Sequence, residues 1–209
     1  MNLPKAYGTF TKRGEHIFRT SAFIQWGDAK QSVGSALLLN PGSAHFDKID
    51  TKLTALHTLG YADGEIYTDP TMKQLIKVVE KIYEREDING RFHIYNLFNL
   101  QNTDNIHAID QFENLVERGE YDISESLVTD NELYSHPWLY LGWGVKRKKH
   151  WKSLENTKIS WQNIISRSQI PTFGKKHSKT EDYYHPSYAI YRPNLIDEIV
   201  ATYKENLLK

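Results

Sequence analysis

The 209-residue chain is 39% hydrophobic, enough to bury a substantial core in a single domain spanning 1–209. It contains no cysteine, which excludes disulfides, thiolate nucleophiles and cysteine-ligated zinc, and which suits a reducing compartment. Twenty-six basic residues balance twenty-six acidic ones, so the net charge by itself gives no reason to expect a polyanionic partner.

Met1-Asn2-Leu3-Pro4 leads into mixed polar sequence with no apolar run of signal-peptide length, and no later run approaches a membrane span. The expectation is a cytoplasmic protein with no membrane partner. Residues 8–26 alternate apolar and polar side chains around Arg13-Gly14-Glu15, which predicts an antiparallel hairpin at a sheet edge. Ser35–Asn40 is a continuous apolar strand halted by Asn40-Pro41-Gly42, where proline ends the ladder and glycine lets the backbone approach a ligand. Asp69-Pro70 then opens a helix, with Asp69 as N-cap and Pro70 at the first helical position. Met72, Leu75, Ile76, Val79 and Ile82 form its apolar face.

Arg91–Phe98 reads as a second parallel strand, followed by an acidic helical stretch, and Trp138–Trp143 as a third. The basic segment Lys146–Arg167 carries Trp151, Leu154, Trp161, Ile164 and Ile165, as covering helices would, and Ile170–Phe173 fits a fourth short strand. Arg192-Pro193-Asn194 opens a last helix striped by Leu195, Ile196, Ile199, Val200 and Tyr203. Alternating strands and helices predict an α/β fold: a three-layer α/β/α sandwich with a central, mostly parallel sheet of about four parallel strands.

The balanced charge is unevenly spread. Gln101–Tyr134 holds nine acids and one base, whereas Val145–Thr180 holds ten bases and one acid. Such asymmetry suggests a polyanion-facing side, with Lys146, Arg147, Lys148 and Lys149 as a phosphate track. Tyr61 or Tyr67 can stack on a base, and Tyr188, Ile190 and Tyr191 can wedge into DNA. Packing at a core or rim explains the same tyrosines.

Four pieces carry the chemistry: Asn40-Pro41-Gly42, then Asn96 ending Ile94-Tyr95-Asn96, then Leu141-Gly142-Trp143-Gly144, then His185-Pro186-Ser187. In open α/β sheets ligands bind beyond the carboxyl ends of the strands, so the pieces are expected to face one pocket. In this order they resemble the signature of the uracil-DNA glycosylase superfamily. With Leu39-Asn40-Pro41, Asp69-Pro70-Thr71 and Asn96-Leu97-Phe98 they also resemble a bacterial and phage family known as the DUF1643 domain, over about residues 35–195. The resemblance implies that Asn40 holds the attacking water, that Asn96 reads a flipped base, and that His185 stabilises charge on the departing base. The residues after His185 would enter the minor groove. The activating loop lacks the aspartate of the fastest glycosylases.

A glycosylase flips a nucleotide out of the stack, holds its Watson–Crick edge and stabilises the leaving base while water attacks the sugar. Asn40, Asn96 and His185 supply the donors and acceptors for a slow version of that chemistry, and Asn40 orients water without deprotonating it. The rival readings are a noncatalytic nucleic-acid or nucleotide-binding module and a hydrolase of a small N-glycoside. No histidine pair has ligand spacing, no serine sits in a nucleophile elbow and no glycine-rich loop cradles phosphate, so neither metal nor cofactor is expected.

Overall fold

The computed structural model describes residues 3–84 and 87–208; Met1 and Asn2, which open the N-terminal stretch, lie outside the described residues. Among the described residues seven strands share one mixed sheet: β1 (Lys5–Arg13), β2 (His16–Trp26), β3 (Ser32–Leu38), β4 (Tyr61–Ile66), β5 (Gly90–Asn96), β6 (Leu139–Gly142) and β7 (Thr172–Phe173). Their order is β4-β1-β2-β5-β3-β6-β7. β5, β3, β6 and β7 run parallel, whereas β4, β1 and β2 form an antiparallel half that joins them through the β2–β5 pair. The sheet is therefore only partly parallel, and the hairpin does not lie at its edge because β4 flanks it. Sequence reading missed β4, in which Ala62 and Ile66 alone are buried, too little apolar pattern to mark a strand.

Six α-helices accompany the sheet among the described residues: α1 (Thr51–Leu59), α2 (Pro70–Ile82), α3 (Asn105–Glu117), α4 (Asp130–Tyr134), α5 (Lys152–Ser168) and α6 (Leu195–Leu207). Strand alternation divides the core in two. Ala36, Leu38, Ile94 and Tyr140 pack with Met72, Leu75 and Val79 of α2 and Leu195 and Ile199 of α6. Leu37, Leu139 and Leu141 pack on the opposite face with Ile109 and Phe112 of α3 and Leu154 and Trp161 of α5. Truncating Leu37 or Leu38 to alanine is expected to cost about 2–5 kcal/mol, because a close-packed interior relaxes only partly around a cavity. No helix among the described residues is long and apolar enough to cross a membrane.

Local chemistry sets where the helices begin. The Asp69 carboxylate accepts the Met72 amide at 2.8 Å and Pro70 occupies the first turn, as the Asp-Pro pair predicts. α5 has no cap of its own. Glu113 on α3 reaches across to accept the Ser153 and Leu154 amides at 2.9 and 2.8 Å, satisfying donors that the first turn leaves unpaired.

The hairpin carries one irregularity. Thr9 pairs with Ser21 but Phe10 pairs with Arg19, so Thr20 is an extra residue in β2. Ala22, Ile24 and Trp26 face the α2 and α6 side, and strict alternation would put Thr20 there and turn Arg19 away. The bulge reverses the phase, as a one-residue slip does. Arg19 thereby stands on the same face as its partner Phe10, a member of that core.

Candidate functional site

Chain order along the parallel half runs β3, β5, β6, β7, while the spatial order is β5-β3-β6-β7. The winding reverses between β3 and β6, the place where connections diverge and leave a crevice at the carboxyl ends. A cavity of about 220 Å³ opens one strand away, beyond β3 and β5. Asn40, Gly42, Asp69, His185, Ser187 and Arg19 contribute its polar wall, with Leu38, Met72 and Ile94 beneath. A second, smaller crevice of about 20 Å³ lies beside the ends of β3 and β6, lined by Leu39, Trp143, Gly144, Lys146 and Tyr188, and His185 borders both.

Asn40 is buried, and its side-chain amide donates to the carbonyls of Pro41 and Asn102, each at 2.9 Å. With both hydrogens directed at backbone, the acceptor oxygen is the functional end left over. The Pro41 carbonyl also accepts the Asn102 amide, so the loop after β3 is braced against the loop before α3. Gly42 lies close against Asp69. A Cβ there would sit 2.8 Å from Oδ2 of Asp69, so a side chain could enter only by displacing the α2 cap. That carboxylate, legible in sequence only as a helix cap, is the one acid among the described residues that lines the cavity.

His185 precedes a 3₁₀ turn, Pro186–Ile190, in which Pro186 is buried in the first position. The Ser187 amide donates to Nδ1 of His185 at 3.3 Å, and the Ser187 hydroxyl lies 2.8 Å from the same atom. Nδ1 is thus the acceptor, which assigns the ring proton to Nε2 in the neutral imidazole. Burial pushes the ring pKa down to about 4, against the attraction of Asp69, so the neutral form prevails at physiological pH. Nε2 has no hydrogen-bond partner among the described residues and offers a free N–H at the cavity.

Tryptophan and glycine after β6 hold the loop that carries His185. The Trp143 indole donates to Oδ1 of Asp182 at 2.9 Å, Lys158 donates to the same oxygen at 3.0 Å, and Arg147 pairs with Oδ2. Burial works to raise the Asp182 carboxyl, yet the hydrogen bonds from Arg147, Lys158 and Trp143 hold it below its ordinary value. The Gly144 amide donates to the Tyr183 carbonyl at 2.9 Å, and the Tyr140 hydroxyl to that of Tyr184 at 3.0 Å. The two residues before His185 are therefore fixed from below by β6.

Asn40, Gly42, His185 and Ser187 come together in this cavity; other expected members do not. Asn96 pairs in register with Leu38 but lines a separate cavity of about 260 Å³ with Thr20, Asn99 and Glu125. Its Oδ1 is buried without a hydrogen-bond partner. Tyr67 is 64% exposed and donates its hydroxyl to Asp47 at 2.5 Å, away from the cavity. Tyr61 lies exposed on the edge strand β4. Tyr191 is 90% exposed after the His185 turn, while Tyr188 packs edge-on to Tyr184.

Part of the charge asymmetry is met by pairing between the two segments. Asp110 of the acidic stretch meets Lys148 at 3.3 Å and the Trp151 indole at 2.6 Å, and Asp130 takes Arg167 through two hydrogen bonds of 2.8 and 2.9 Å. Glu113 caps α5, and Arg147 belongs to Asp182. Of the four-residue basic run, Lys146 and Lys149 have no ion pair among the described residues.

Sequence reasoning missed Arg19. Its residue is only 3% exposed, yet it lines the cavity, and both Nε and Nη1 are buried with no hydrogen-bond partner. Burial lowers its pKa to about 10, opposed by Asp69, so the guanidinium stays charged. The alternation of β2 pointed it outward, and only the bulge at Thr20 turns it inward. No cluster of three or more histidines, aspartates and glutamates suited to a metal occurs among the described residues. Compared with protein-family models, curated proteins and solved structures, the chain matches none.

Proposed function

We propose that the protein is a uracil-DNA-glycosylase-like N-glycosylase, built as a three-layer α/β/α sandwich and acting in the cytoplasm on a damaged or modified base in DNA. The observation that carries this reading is the shared cavity of Asn40 and His185, in which a neutral imidazole presents an unpaired Nε2–H. A donor held in a water-poor site is suited to charge developing on a departing base, because it needs no reorganisation as the bond breaks. The Asn40 oxygen would orient water, and the Asp69 carboxylate supplies the negative charge that the Asn-Pro-Gly loop itself lacks, able to accept a proton or to favour an oxocarbenium-like sugar. Lys146 and Lys149 would follow the DNA backbone, with Tyr191 at the groove.

Oligonucleotides carrying a panel of damaged and modified bases, incubated with the protein and then cleaved with alkali, test the reading directly. His185→Ala is expected to lower the single-turnover rate by roughly 10²–10³ with DNA affinity nearly unchanged, since the lost donor acts in the transition state. One observation favours a noncatalytic module instead. Asn96, expected to read the base edge, lines a different cavity from His185. Nucleic-acid binding without release of any base would decide for that alternative.

A further inference from the structure

We infer that the Asn40–His185 cavity is an anion site anchored by Arg19, and that its ligand enters as an oxyanion, through a phosphate or a carboxylate group. The inference concerns the same cavity as the glycosylase reading but does not depend on N-glycoside cleavage.

Three observations carry it. First, Arg19 is buried, charged and without an ion pair or a hydrogen bond to Nε or Nη1 among the described residues. A cation removed from water is costly unless paired, and folded proteins otherwise pair their buried charges. Asp182 shows how the same chain treats a buried charge that serves only architecture: three donors surround it. Second, other positive character converges on the cavity. Pro70, Thr71 and Met72 of the first turn of α2 line it, as does Asn105 at the start of α3, and each helix is 13 residues long. Helix N-termini favour anions, and here they add to a guanidinium and to the free Nε2–H of His185. Among the described residues Asp69 is the single carboxylate lining the cavity, and both its oxygens are engaged, Oδ1 in capping Met72 and Oδ2 in accepting the Ala44 amide at 3.4 Å. Third, the bulge at Thr20 turns Arg19 into this face, where regular pairing would have placed threonine. Bulges that re-aim a side chain occur beside active sites.

The test is thermal unfolding of the full chain, wild type against Arg19→Met, with inorganic phosphate and with acetate titrated against chloride at matched ionic strength. Phosphate also stabilises proteins nonspecifically by exclusion from their surface, so the readout is the difference between the two proteins. Wild type is expected to gain Tm with one oxyanion, phosphate marking a phosphate ligand and acetate a carboxylate. Arg19→Met should lose that gain, with affinity down about ten-fold or more, as removal of a charged hydrogen-bonding partner implies. In chloride alone Arg19→Met should melt roughly a few degrees higher than wild type, because an unpaired buried cation has been replaced by an apolar chain of similar length. Arg19→Lys, which keeps the charge, should retain part of the response.

Absence of any oxyanion-specific shift in the wild type overturns the inference, as does a lower Tm for Arg19→Met in chloride, which would make Arg19 structural. Its fate and that of the glycosylase reading are separable. A protein that binds phosphate through Arg19 yet releases no base sustains this inference alone. One that releases base equally well with Arg19→Met, with no oxyanion response, sustains only the other.

Discussion

Two buried charges sit at opposite extremes of the same molecule. The carboxylate of Asp182 is enclosed by the Trp143 indole, the Lys158 ammonium and the Arg147 guanidinium, whereas Arg19 has two nitrogens buried with no partner. Both side chains are removed from water, so both incur desolvation. Asp182 has it offset by three hydrogen-bonded donors, Arg19 only by the attraction of Asp69. A fully paired buried charge fixes a position, here the loop before His185, while an unpaired one next to a cavity leaves interaction energy for a ligand to realise. The contrast separates scaffold from site without reference to sequence relatives.

The largest expected effect comes from breaking the satisfied cluster. Asp182→Ala leaves Lys158, whose side chain is 6% exposed, without its buried counter-ion, and frees the Trp143 indole. Removing one partner of a buried pair typically costs about 3–5 kcal/mol, which urea unfolding of the variant should show. The His185 loop should loosen with it, so any activity should fall alongside stability. A loss near zero would mean that Lys158 finds enough compensation from Glu155 at 2.9 Å, and that the cluster does not brace the loop.

Acid unfolding sharpens the same contrast. His185 is held neutral, its pKa pushed down to about 4 by burial, whereas the unfolded chain protonates it near 6.5. A group whose folded pKa is depressed stabilises fully above its unfolded pKa and less as pH falls toward its folded one. Stability should therefore decline between about pH 6.5 and pH 4, with His185 contributing up to about 3 kcal/mol. His136, also pushed to about 4 by burial and by its neighbour His93, adds to the slope in that window. Asp182 acts lower, because its carboxyl is held below 3.8 and its contribution fades only as pH falls through that depressed value. Urea unfolding across pH should show His185→Gln flattening the upper window while Asp182→Asn leaves that slope in place. An unaltered slope in His185→Gln would place the imidazole in contact with water.

Particular residues show how far such a site can be read in advance. The Asp69-Pro70 cap, the apolar runs of β3, β5 and β6 and the stripe of α6 were legible because local chemistry and periodicity fix them. The Asn40 loop was legible because it halts the apolar run of β3, and His185 because of its His-Pro-Ser sequence, not because an element leads into it. Long-range facts were not. Nothing local reveals that β4 pairs outside β1, that Asn96 borders a different cavity, or that an extra residue at Thr20 turns Arg19 inward. The acidic and basic segments were both visible, yet only the fold shows the two ion pairs that join them, Asp110 with Lys148 and Asp130 with Arg167.

That pairing makes the smallest expected effect on stability also a discriminating one. Lys146 and Lys149 lack ion pairs among the described residues, so changing both to glutamine should alter unfolding free energy by no more than about 0.5 kcal/mol, as for surface positions without special contacts. Arg147→Gln, by contrast, removes a donor from Asp182 and should destabilise more. If the two free lysines track a nucleic-acid backbone, the double variant should weaken DNA binding. The slope of log affinity against log salt should fall by about 0.9 for each phosphate no longer neutralised, because every neutralised phosphate releases condensed counterions. Binding measured over a range of salt concentrations reads this directly. A salt slope identical to wild type would remove the DNA track while leaving the Arg19 cavity untouched, since paired lysines belong to the scaffold and unpaired ones must show a ligand to count as site.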